Sequence, residues 1–169
     1  MTNQATVDPT LDRLLRHMAW ANAALINRLS ELPADALGLA SPRNEWTVVM
    51  ILDHLVSAAQ RYAARLEGAP RPDRASSPAT AAGLAELAAD CATYDARIRA
   101  QAAKPDGPAR YADQAGEASA RSTVLAQAIH HATEHRAQVA AALATNGIDA
   151  IDLDALDLWS YADAEGSGA

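Results

Sequence analysis

Apolar residues recur at intervals of three and four in four long stretches, and breakers separate the stretches. In the first, Leu11, Leu14, Leu15, Met18, Ala21, Leu25 and Leu29 share one stripe, so a helix is expected from Pro9 or Thr10 to Leu32, closed by Pro33. The second opens with Thr47 as N-cap and runs to Glu67, with Gly68 as the stop. Its inward stripe holds Ile51, His54 or Leu55, Ala58, Tyr62 and Leu66. The third, Ala79 to Ala102, aligns Leu84, Leu87, Cys91, Tyr94 and Ile98. The fourth, Arg121 to Ala144, contains neither Pro nor Gly and ends before Asn146-Gly147. It places Val124, Ala128, His131, His135, Gln138 and Ala142 on one face.

Residues 104–119 read as irregular, with a short extended piece around Ala109 to Ala112, and Leu153 to Tyr161 predicts a short fifth helix. The closing AEGSGA is expected to fray. Between the second and third stretches lies GAPRPDRASSP, residues 68–78. Such a linker spans roughly 35 Å when extended, whereas a twenty-residue helix is only ~30 Å long. The third helix can therefore begin back at the far end and run parallel to the second. The expected fold is all-α: one domain over residues 1–169, a four-helix bundle with a long helix 2–helix 3 crossover (up-down-down-up) and a short C-terminal helix.

Composition supports helices and narrows the partners. Half of the residues are hydrophobic, mainly Ala and Leu, and Phe is absent. A formal charge of −7, spread along the chain, argues against wrapping a nucleic-acid backbone. The single cysteine excludes an intrachain disulfide and fits a reducing compartment. No apolar run is long enough to span a bilayer, and MTNQATVDPT lacks the features of a signal peptide, so a cytoplasmic location is expected.

The chemistry concentrates in the histidines, His17, His54, His130, His131 and His135. His131 and His135 lie one turn apart on the inward face of the fourth helix, where two imidazoles can grip one metal ion. Left without a partner, two buried imidazoles would cost a few kcal/mol. His54, three residues after Ile51 and four before Ala58, can face inward on the second helix and complete a three-imidazole set. Three nitrogens leave a coordination position open for water, a thiolate or a carboxylate. His130 points about 100° from His131 and reads as a flank; His17, inside LLRHMAW, reads as partly exposed. The string His131-Ala-Thr-Glu134-His135 also spells H-x-x-E-H, the inverted zinc-peptidase pattern with Glu134 as base. Only a short, loop-like stretch remains beyond it to supply that pattern's third ligand. Glu134 and Arg136 remain candidate helpers; Asp53 or Glu134 could hydrogen-bond a ligand's second nitrogen. Cys91 reads as a buried inert thiol, and Trp20, Trp46 and Trp159 as core or pocket-wall residues.

Five segments in order carry a resemblance: MAWANAALINRL in the first helix, WTVVMILDHL in the second, RYADQAGE before the fourth, IHHATEHRAQVAAAL within it, and the closing IDLDALDLWSY. Together they resemble the DinB/YfiT-like family over nearly the whole chain. The resemblance implies a four-helix bundle in which His54, His131 and His135 hold one divalent metal, commonly zinc or nickel, also manganese or iron. It implies kinship with bacillithiol S-transferases and mycothiol-dependent isomerases, hence a low-molecular-weight thiol cosubstrate and a small-molecule substrate, and it allows a homodimer. His130 departs from the Asn that, in the family, often precedes the first histidine of the fourth helix, here His131. The expected function is metal-dependent thiol S-transfer to small electrophiles. The competing readings are a metal-hydroxide hydrolase and a non-catalytic stress or scaffold protein stabilised by its metal.

Overall fold

The computed structural model of the chain describes residues 7–41 and 45–166. The first six residues, part of the stretch that lacks signal-peptide features, and residues 167–169 of the closing segment lie outside the described residues. Helices α1 (Pro9–Ser30), α2 (Val48–Glu67), α3 (Ala81–Ala100) and α4 (Arg121–Thr145) form the bundle, and the short α5 (Leu158–Ala164) comes after them. Several boundaries arise from local chemistry. Asp8 accepts from the Leu11 amide ahead of Pro9, Thr47 from Met50 and Thr80 from Gly83, and these side chains satisfy amides the helix itself cannot. Helix α2 ends on Gly68 at φ 70°, a left-handed cap that favours glycine. Helix α1 stops at Ser30 rather than Leu32 because the Leu32 amide turns back to the Leu29 carbonyl, tightening the last turn.

Ion pairs fix the directions. Glu67 at the end of α2 meets Arg97 near the end of α3, while Asp53 near the start of α2 accepts from the Ser77 amide just before α3. The two helices are therefore parallel, as the linker length predicts. Arg99 at the end of α3 pairs with Asp12 at the start of α1, so α1 and α3 are antiparallel. Arg121 opens α4 beside the Leu66 carbonyl that closes α2, which makes that pair antiparallel too. Helices α1 and α2 each pack against both α3 and α4, and the result is an up-down-down-up bundle.

The bundle interior is apolar, with Leu15, Leu25, Ile51, Leu52, Leu87, Ile98 and Leu143 fully buried. Where an extended piece over Ala109 to Ala112 was expected, only β1 (Pro108–Ala109) pairs, antiparallel with β2 (Ser119–Ala120). The Ala112 amide donates instead to the Ala69 carbonyl, which draws the loop against the start of the 68–78 linker. The fifth helix begins late, at Leu158, because Asp154–Leu156 makes a 3₁₀ turn and Asp157 caps the α5 amides. No helix among the described residues is long and apolar enough to cross a membrane.

Candidate metal centre

Helix α2 presents His54 and helix α4 presents His131 and His135 to the same point between them. The Nε2 atoms of His131 and His54 lie 3.2 Å apart, and those of His135 and His131 lie 2.9 Å apart. One donor atom from each of the three residues lies within 4.8 Å of the others, a group that could hold a metal ion. Ligand nitrogens on one tetrahedral ion at ~2.0–2.1 Å sit about 3.3 Å apart, so this spacing fits a shared cation.

Protonation supports the fit. The Gln138 carbonyl oxygen lies 2.7 Å from His135 Nδ1 and can only accept, so the proton sits on Nδ1 and the Nε2 lone pair faces the cluster. Burial, then the neighbouring His135, His54 and Arg61 charges, hold His131 down at about 4. His54 is lowered as well, first by burial and then by His135 and Arg61. Both rings are therefore neutral at physiological pH and able to ligate. Converging neutral imidazoles share too few protons to satisfy every nitrogen among themselves, and a cation relieves that conflict.

Around the rings, Trp46 packs 4.9 Å from His54 and stacks on His135 at 6.4 Å, and the Tyr62 ring meets His131 edge-on at 5.7 Å. A cavity of about 380 Å³ opens directly onto His54 and His131. Its walls come from the second half of α2, the start of the linker, the β1–β2 loop and the first half of α4, and include Arg61, Arg65, Arg71, Tyr111 and Gln127.

A family model described as the DinB family matches residues 1–165. The chain belongs to the DinB family. No curated protein matches the sequence significantly. In this DinB protein His130 is exposed and outside the three-histidine group. Glu134 is exposed and does not line the cavity beside His54 and His131, which leaves the inverted zinc-peptidase pattern without its base at that point.

Arg136, for which a substrate anion, another helix or solvent were the open alternatives, is buried at 3% exposure. Its Nη1 donates to Asn22 at 2.8 Å and its Nη2 to Thr133 at 3.0 Å, and burial lowers it to about 10. It belongs to the core network, not to the cavity wall. Asp53 braces the linker through Arg74 and the Ser77 amide instead of steering a histidine. His17 is buried rather than partly exposed, because the C-terminal segment folds over it and brings the Leu156 carbonyl 2.8 Å from its Nε2. Cys91 is buried, and desolvation pushes its thiol well up. Of the tryptophans, Trp46 walls the site, Trp20 packs on His17 and Tyr161, and Trp159 is 81% exposed.

Sequence reasoning missed Gln138 as the orienting group, although it stood on the same stripe three residues after His135. It also missed the arginines of the cavity, which come from two elements whose meeting no local pattern announces.

Proposed function

We propose that this protein is a metal-dependent thiol S-transferase acting on small electrophiles, with His54, His131 and His135 holding one divalent ion, zinc or nickel foremost. The observation that carries the reading is the convergence of three imidazole nitrogens beside an open cavity. Among the described residues no fourth His, Cys, Asp or Glu joins the group, as a closed structural site would require. A bound divalent ion supplies Lewis acidity there, making a thiol or a water acidic enough to serve as a nucleophile near neutral pH.

The protein's own part is to keep the His54 and His131 rings neutral and to orient His135 through Gln138. Trp46 and Tyr62 shield the rings from solvent on two sides. The cavity then positions the thiol and its acceptor together. With a chlorinated aromatic as acceptor, the S–C bond forms as the C–Cl bond breaks; chloride leaves and the thiol proton passes to solvent.

The test is elemental analysis of untagged protein together with a thiol screen against a chlorinated aromatic or an epoxide. His131→Ala is expected to abolish both metal content and transfer. Transfer that persists in metal-free protein overturns the proposal. Metal that only raises the melting temperature, with no thiol altering the spectrum of a cobalt-substituted sample, favours a stabilising metal alone.

A further inference from the structure

We propose that the cavity against His54 and His131 is an oxyanion pocket, in which Arg61, Arg65 and Arg71 hold the carboxylate or phosphate group of a small cosubstrate. The inference rests on the function proposed above and names the chemistry of the molecule that site admits.

The chain carries 21 acidic residues against 14 basic ones, so a surface guanidinium should readily find a carboxylate. Of the twelve described arginines, Arg13, Arg16, Arg28, Arg74, Arg97 and Arg99 each do, and of the six that do not, Arg110, Arg121 and Arg136 lie off this cavity. Among the described residues, none of Arg61, Arg65 and Arg71 pairs with one, and all three line this one cavity. Among the described residues, Glu117 is the only carboxylate on the wall. Three positive charges against one negative, in an acidic protein, is a local inversion of sign. A concave site focuses such a field on its ligand.

The arginines are also placed by the fold. Arg65 donates through Nε to the Ala109 carbonyl at 3.3 Å and lies over the Tyr111 ring at 5.6 Å, which fixes the plane of its guanidinium. The Arg71 amide donates to Asp113 at 3.0 Å, and this anchors the linker backbone from which its side chain springs. Arg61 stands one helical turn before Arg65 on α2, on the side nearer His54. Planar guanidiniums bind carboxylate and phosphate oxygens in pairs. About 380 Å³ is room for a small molecule, not a polymer. A molecule anchored there by its anionic end would reach the histidines with its other end, since His54 and His131 belong to the same wall.

The experiment is calorimetric titration of the full chain, as purified and after zinc addition, with succinate, inorganic phosphate and the neutral isostere succinamide. Succinate or phosphate is expected to bind in both samples, more weakly as salt rises, while succinamide does not. The tighter of the two anions identifies the oxyanion. Arg61→Gln and Arg71→Gln, whose side chains are outside the core, should keep the wild-type melting temperature and weaken binding by about tenfold or more. Failure of both anions to bind overturns the inference, as does succinamide binding equal to succinate or wild-type affinity in both variants. Because this readout needs neither thiol nor turnover, arginine-dependent binding without thiol transfer would reject only the transferase reading.

Discussion

His135 gains its ligating form from a single neighbour. The Gln138 carbonyl accepts a hydrogen bond from Nδ1–H and leaves Nε2 bare toward His131. Replacing Gln138 by Leu keeps the size and removes the acceptor, so zinc affinity is expected to fall by roughly 10–100-fold. Competition against a chromogenic chelator measures this, and an unchanged affinity would reduce Gln138 to packing. The histidine pair itself was legible, because residues four apart on a helix must share a face. Gln138 as its partner was not, since three residues of separation permit the contact without requiring it; the rotamer decides. Which partner Arg136 takes was not legible for a related reason. Its partner Asn22 is 114 positions away and becomes visible only when α1 is laid against α4.

At the scale of elements, the start of α3 depends on a residue without a side chain. A Cβ on Gly83 would stand 2.1 Å from the Pro78 carbonyl oxygen, which is backbone and cannot swing aside. Gly83→Ala is therefore expected to destabilise the protein by about 1–3 kcal/mol although alanine favours helix. Urea denaturation would show it, and a stabilised variant would mean that the linker shifts freely. Helix starts and stops were readable because caps are local: Thr47, Gly68 and Asn146-Gly147 act within a few residues. The extended piece around Ala109 to Ala112 pairs only at its start, because the course of the β1–β2 loop is set from outside. Ala69 in the linker supplies the carbonyl that holds Ala112.

Over the whole molecule, a buried polar network crosses the bundle. Asn22 on α1 donates to Asp95 on α3 at 3.0 Å and accepts from Arg136 on α4 at 2.8 Å. Burial raises Asp95, so its carboxylate relies on this amide and on the Arg136 charge. Asn22→Ala would leave both ends short of a partner, with an expected loss of about 2–4 kcal/mol in chemical denaturation. A loss below the effect of an ordinary surface change would mean that water takes the place of the amide. The chain alone determined the helices, most of their caps and the face that His131 and His135 share, because these depend on neighbours a few positions apart. Only the tertiary structure decided that His54 meets His131 and His135, that Asn22 joins Asp95 to Arg136, and that three arginines surround one cavity. Those meetings depend on which helices become neighbours and at what height, and that is settled by packing between segments far apart in the chain.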